Sequence, residues 1–263
     1  MPSAAALRLQ IEQNLEARFP SALTPAPRTI REVASTGIDA ADDLLDGGLP
    51  IGAITEILGP ASSGRTTLAL SFVAQRTAEA RICAWIDAQD SLDPESAAAN
   101  GVNLKQLLWI RCRDAGAEKA AQSRLQARPW TRLDQALRAA DLLLQAGGFA
   151  AIVLDLADIS PEHANRIPLA TWFRYRQAAD RTRCSLLVLG KAAYAQSSAA
   201  LAIECSPIAS EAAGEKVLRG FTYAIQRGRQ RFAPGVQAIK AGARKPPAST
   251  WSAGTSWEAE RRA

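Results

Sequence analysis

Ala53-Ile54-Thr55-Glu56-Ile57-Leu58-Gly59-Pro60-Ala61-Ser62-Ser63-Gly64-Arg65-Thr66-Thr67 is the stretch that decides the fold. An apolar run of strand length meets a loop with glycine near both ends, and the loop opens a helix at Thr66. Glycines let the backbone curl until several amides point at one anion, and the positive end of the following helix adds to that field. Strand, loop and helix in this order read as a phosphate-binding loop, with Gly59, Ser62, Ser63, Gly64, Arg65, Thr66 and Thr67 as its candidate contacts.

Outward from the loop, strand-like and helix-like stretches alternate from Ser35 onward, the pattern of parallel βαβ units and hence of an α/β fold with a mostly parallel central sheet. Strands are expected at about 53–58, 81–86, 107–112, 150–155, 185–189 and 200–205. The clearest helix runs from Arg132 to Gln145, with Leu133, Leu137 and Leu144 on one face and Gly147-Gly148 as its stop. After Ser206 two extended stretches, 216–226 and 232–240, flank Arg227-Gly228-Arg229-Gln230-Arg231, which predicts an antiparallel hairpin with a basic turn.

Three parts follow: an N-terminal helix and linker at 1–33, a core domain at 34–240 and a flexible C-terminal tail at 241–263. Leu7, Ile11, Leu15 and Phe19 recur at helical spacing ahead of Pro20, and an isolated helix of that length needs something to dock on. The tail is rich in Gly, Pro, Ser and charge, with too little apolar content for a core. Its Trp251 and Trp257 read either as anchors for a partner or as a segment folded back on the core.

Among 263 residues, 48% are hydrophobic and 22% charged, the proportions of a folded globular chain rather than a disordered one. No apolar run approaches the roughly 18 to 20 residues that span a bilayer, and the start lacks a secretory pattern, so a cytoplasmic location without membrane contact is expected. Cys83, Cys112, Cys184 and Cys205 are widely spaced and His163 is the only histidine, which predicts reduced buried thiols and no cysteine or histidine metal site. The net charge of +5 is carried largely by arginine, clustered at 174, 176, 181 and 183 and again at 227, 229 and 231, which suits a polyanionic partner.

Two further readings bear on chemistry. Ala150-Ala151-Ile152-Val153-Leu154-Asp155 is an apolar strand ending in a carboxylate, a candidate to hold Mg²⁺ together with Thr66 if nucleotide binds. Arg65 stands where the phosphate-loop pattern has lysine, and a planar guanidinium is a poor copy of a compact ammonium. The loop therefore reads as binding ATP or ADP weakly, or as empty. Trp172-Phe173-Arg174-Tyr175-Arg176 interleaves aromatics with cations, open to two readings: a platform for single-stranded DNA, or a helix with aromatics packed and arginines in solvent.

Taken with the loop, Ser35-Thr36-Gly37-Ile38-Asp39, Gly47-Gly48-Leu49-Pro50-Ile51-Gly52, Ile86-Asp87-Ala88-Gln89-Asp90-Ser91-Leu92-Asp93-Pro94 and Gly101-Val102-Asn103 before Leu107-Leu108 resemble the bacterial recombinase family RecA over roughly residues 34–240. The resemblance implies a RecA-like domain taking ATP and Mg²⁺. It also implies that Gln89 occupies the place of the glutamate that activates water, with Asp87 and Asp90 as nearby acids. Glutamine orients water but takes no proton at neutral pH, so little or no hydrolysis is expected.

The same resemblance implies DNA contacts at two loops, represented here by the short stretches 157–168 and 190–200, with Lys191, Arg174 and Arg176 as candidate contacts. It implies that Arg227 and Arg229 reach a neighbouring subunit's phosphates or a partner, and that the N-terminal helix serves subunit contacts. A short RecA-like chain with an altered ATPase loop and a basic tail is similar to the ImuA family. That similarity implies an accessory role in SOS-induced translesion DNA synthesis, near the nucleoid, beside an ImuB-like Y-family protein and an error-prone replicative-type polymerase, and with RecA or single-stranded DNA as further partners. A DNA-dependent ATPase or recombination mediator is the rival reading. An SOS cell-division inhibitor is a third, against which the preserved glycine framework counts.

Overall fold

Runs of aliphatic residues buried at every position, without the alternation of a sheet that has one wet face, build the centre of the molecule. The computed structural model describes residues 29–113, 131–213, 217–234 and 248–254. Its strands are β1 (Thr29–Arg31), β2 (Val33–Ala34), β3 (Leu49–Pro50), β4 (Ile54–Leu58), β5 (Cys83–Asp87), β6 (Leu107–Arg111), β7 (Ala151–Asp155), β8 (Ser185–Gly190), β9 (Ala199–Ala213), β10 (Val217–Gln230), β11 (Phe232–Pro234) and β12 (Ala248–Gly254). Its helices are α1 (Asp39–Leu44), α2 (Arg65–Ala78), α3 (Pro94–Ala99), α4 (Arg132–Ala146), α5 (Pro161–Ala164) and α6 (Leu169–Thr182).

Eight strands form one sheet in the order β12-β10-β9-β4-β8-β7-β5-β6. From β9 to β6 all neighbours are parallel, and β10 and β12 add an antiparallel edge. Alternate side chains serve opposite faces. Ile57, Trp85, Val153 and Leu187 pack under α2 with Phe72 and Val73, while Ile152, Leu154, Leu186 and Val188 pack under α4 and α6 with Trp172 and Tyr175. The fold is thus the mixed α/β architecture with a mostly parallel sheet that the alternation predicts.

Helix α4 begins at a capping box, in which Thr131 accepts from the Asp134 amide and Asp134 accepts from the Thr131 amide, and Gly147 caps its end. Its buried face is Ala136, Ala140 and Leu144, with Leu133 and Leu137 half-buried at the margin. All four cysteines are buried and unpaired. Among the described residues no helix is long and apolar enough to cross a membrane, and no cluster of metal-ligating side chains occurs.

The C-terminal third departs from expectation twice. The antiparallel hairpin is made by β9 and β10, and Arg227–Gln230 is not its turn but the end of β10, paired with β9 as far as Gln230 opposite Leu201. Gly228 serves close approach rather than reversal, since a Cβ there would lie 3.1 Å from the Ala202 carbonyl oxygen. Beyond it, β11 leaves the sheet to pair in parallel with β1.

Residues 248–254, expected within a flexible tail, form edge strand β12 on β10, with Trp251 opposite Tyr223. The missed signal is period two: Trp251 is buried and Ala253 half-buried, while Thr250 and Ser252 between them are exposed. The expected N-terminal helix, the rest of 235–263 outside this strand, and Trp257 lie outside the described residues.

Candidate functional site

Strand β4 delivers the chain to the carboxyl edge of the sheet between β8 and β9, where its loop is pinned by a hydrogen bond from the Gly59 amide to the Gly190 carbonyl, 3.1 Å. Ser62 and Gly64 both have left-handed backbone, φ 58° and 85°. Two such residues within three curl the backbone tightly, and Gly64 caps α2, so the loop leads directly into a helix N-terminus. The helix starts at Arg65, one residue before the expected Thr66. Ser63 is buried with its hydroxyl unpartnered, while Thr66 is exposed.

Arg65 is 6% exposed. Its guanidinium turns back across the loop: Nη1 donates to the Gly59 carbonyl, and Nη2 stands 3.9 Å from Oδ1 of Asp158. The cation thus ties the start of the loop to the start of the helix rather than extending beyond it.

Asp155 ends β7 in register with Asp87 at the end of β5. Asp87 is fully buried and saturated, accepting from the amides of Ser91 (3.0 Å) and Leu92 (2.9 Å), more distantly from that of Gln89 (3.3 Å), and from Trp109 Nε1 (3.2 Å). Asp155 accepts from the Ala157 amide at 3.0 Å. Burial pushes its carboxyl up to about 6; the Ala157 amide pulls the other way, Asp87 adds to the rise, and Arg65 opposes it. Burial thus disfavours its ionised form.

Gln89 is held by Arg132, whose Nη1 donates to its Oε1 at 3.1 Å. Asp90 is clasped by Arg111, with Nη2 to Oδ2 at 2.6 Å, and that pairing holds its carboxyl below the ordinary range. Neither Asp87 nor Asp90 is left free to accept a proton from water.

The remaining predicted residues are dispersed. On α6, Trp172 and Tyr175 are buried edge to face at 5.9 Å, while Arg174 pairs with Asp141 of α4 at 2.8 Å and Arg176 is exposed. Lys191 is exposed just beyond β8. Arg227 pairs with Asp46 at 2.9 Å, and Arg229 donates to the Gln196 carbonyl and stands 3.7 Å from Glu56. Both are thus engaged within their own chain. Trp251 lies 4.7 Å from Tyr223, centroid to centroid.

Three residues escaped the sequence reading: Asp158, Tyr223 and Glu56. Glu56 alone carried a signal, being a charge inside an otherwise apolar strand. It is fully buried, accepts from the Tyr194 and Ala195 amides at 2.6 and 2.7 Å, and burial pushes its carboxyl up.

The fold defines an α/β domain built on a mostly parallel sheet. Residues 22–165, more than half of the chain, match the RecA N-terminal domain, and the chain belongs to that family. Protein RecA of Borreliella afzelii (strain PKo) is 37% identical over 140 residues, which cover 53% of this chain and 33% of that protein. Protein RecA of Rickettsia massiliae (strain Mtu5) is 37% identical over 152 residues, covering 57% of this chain and 39% of its own. The match therefore spans well under half the length of these relatives.

Proposed function

We propose that this chain is a RecA-related accessory protein of DNA repair, which holds a nucleotide through its phosphates as a structural ligand and does not turn it over. The observation that carries the reading is the inward fold of Arg65 onto the Gly59 carbonyl. A cation spent on the loop's own backbone is not positioned to follow charge as it develops on a transferring phosphoryl group. Gln89 supplies no proton acceptor, and Asp87 and Asp90 are committed to other donors.

The residues present suit the ligand. The loop amides orient phosphate oxygens, and the Thr66 hydroxyl and Asp155 carboxylate are the hard oxygen donors that Mg²⁺ takes. Mg²⁺, when bound, neutralises phosphate charge, and an oxygen-bound cation keeps Asp155 ionised where burial alone favours its neutral form.

In its finer form the proposal follows the resemblance to the ImuA family: an accessory to translesion synthesis that meets an ImuB-like Y-family protein and an error-prone polymerase, with RecA or single-stranded DNA as further partners. Co-purification from damaged cells tests the partners. Titration with ATP and ADP in the presence of Mg²⁺, alongside phosphate release with and without single-stranded DNA, tests the site. Binding without release is expected; turnover like that of an ordinary recombinase would falsify the reading.

A DNA-dependent ATPase is the second reading, and Asp155 favours it: its carboxylate ends β7, where it would hold the Mg²⁺ that phosphoryl transfer needs. DNA-stimulated turnover that Asp155→Ala abolishes would establish that alternative.

A further inference from the structure

The flank of the loop is covered by aromatic side chains that the proposed ligand does not explain. The Tyr223 ring lies so close to Gly64 that a Cβ there would come within 2.7 Å of it. The Tyr223 phenol stands beside the Thr67 side chain, in the first turn of α2. Behind Tyr223 stands Trp251, its cross-strand partner in the β10–β12 register, and Phe221 stacks on the other side at 6.0 Å. Tyr223 is 6% and Trp251 8% exposed, and the Thr222 and Ser252 hydroxyls, 3.2 Å apart, tie the same two strands on the opposite face.

Gly64 has no side chain with which to fix its own left-handed conformation, so the ring resting on it is what limits its movement. A cross-strand aromatic pair is a firm hold. The Trp251 indole N–H is buried without an acceptor, so no polar bond fixes its position and packing against Tyr223 is its main constraint.

We propose that Tyr223, held by Trp251 of the C-terminal strand, latches the first turn of α2, so that a phosphate ester engaging Thr67 must first displace the phenol. The inference rests on the phosphate-binding reading above and deepens it. The loop amides are reached without disturbing the latch, whereas Thr67 is not. Small anions such as pyrophosphate are therefore favoured relative to a nucleotide that extends along the first turn, and residues 248–254 set how far the nucleotide is disfavoured.

Two measurements test this. In the first, Tyr223→Phe keeps the ring but removes the hydroxyl beside Thr67; ATP should bind about three- to tenfold tighter than to wild type, the scale of one polar contact, while pyrophosphate binding stays unchanged. ATP binding no tighter than wild type, where wild type binds it, overturns the latch. In the second, hydrogen exchange of the amides at 64–68 is followed in ligand-free protein. Trp251→Ala should speed it about tenfold or more, and Trp251→Phe, which preserves an aromatic partner, should restore it to near the wild-type rate. Unchanged exchange at 64–68 in Trp251→Ala, with β12 amides freely exchanging, overturns the latch without reference to any ligand. Failure of every protein to bind ATP or pyrophosphate would instead sink the phosphate reading and leave the exchange result to decide the latch.

Discussion

Asp87 and Asp155 stand side by side at the ends of two adjacent parallel strands, paired in register, yet their environments differ sharply. Asp87 is surrounded by donors from the following loop and from Trp109, whereas burial holds the Asp155 carboxyl up at about 6. Asp87 organises the loop that follows it, whereas Asp155 accepts from the Ala157 amide.

For Asp155 the pH dependence follows from that difference. Its folded value lies above the ordinary carboxyl value, so between roughly pH 4 and 6 the folded state binds more protons than the unfolded one. Its contribution to stability is full below that window and is lost as pH rises through it. Asp155→Asn, which mimics the neutral form, should stabilise the ligand-free protein by about 1 to 3 kcal/mol at pH 7.5 and change little at pH 4. Urea unfolding at the two pH values reads this directly; equal effects at both would refute it.

Asp87 should behave oppositely. Asp87→Ala leaves two strong amide donors and an indole N–H without their acceptor, at a cost of about 3 kcal/mol or more, and Asp87→Asn should fall between it and wild type. A change below about 0.5 kcal/mol in thermal or urea unfolding would show that the loop 88–92 finds other acceptors.

How much of this was legible in advance depended on whether a residue acts locally. The strand, loop and helix around Gly59–Thr67 announced themselves because glycine spacing and apolar runs are chain-local signals, and β4, β7 and β8 lie within a residue or two of expectation. Arg65 was legible as a departure from a pattern, but its inward fold was not, because the contact with Asp158 joins residues far apart in sequence. Strand β12 was missed because a single tryptophan among small polar residues buries little area until Tyr223 is opposite it. The basic turn was misread because Gly228 marks both a reversal and a close approach, and only the neighbouring strand distinguishes them.

Arg65→Lys should separate the two duties of that position. A lysine in place of the arginine loses the reach that allows one side chain to touch both the Gly59 carbonyl and the approach to Asp158. Its compact ammonium is better matched to phosphate oxygens at close range, so ATP should bind several-fold tighter while phosphate release stays at background, because Gln89 is unchanged. Arg65→Ala should weaken ATP binding and also destabilise the fold by about 1 to 3 kcal/mol through the lost buried contacts. Isothermal titration with parallel unfolding curves distinguishes these; an Arg65→Lys protein that hydrolyses ATP would show that Gln89 is not the limiting defect.

Glu56 lies buried in β4, behind the loop. On the strand that feeds it, this fully buried carboxylate takes two amides from the Tyr194–Ala195 turn at Oε1, while Oε2 has no hydrogen-bond partner and faces Arg229 at 3.7 Å. Removing the side chain would strand two amides in the interior and take the countercharge from Arg229, so Glu56→Ala should cost about 3 to 5 kcal/mol. Glu56→Gln keeps an acceptor for both amides and drops the charge. Because burial raises the folded carboxyl above its unfolded value, the ionised form is the costly one, and stability falls as pH climbs from the ordinary carboxyl value through the raised one. Glutamine removes that slope. The expectation is therefore a Glu56→Gln protein within about 1 kcal/mol of wild type near neutral pH with a flatter stability profile above pH 4, and an Ala variant that is far weaker at every pH. Should Gln prove as damaging as Ala, the charge itself and its attraction to Arg229 would be what holds the 191–198 segment against β4.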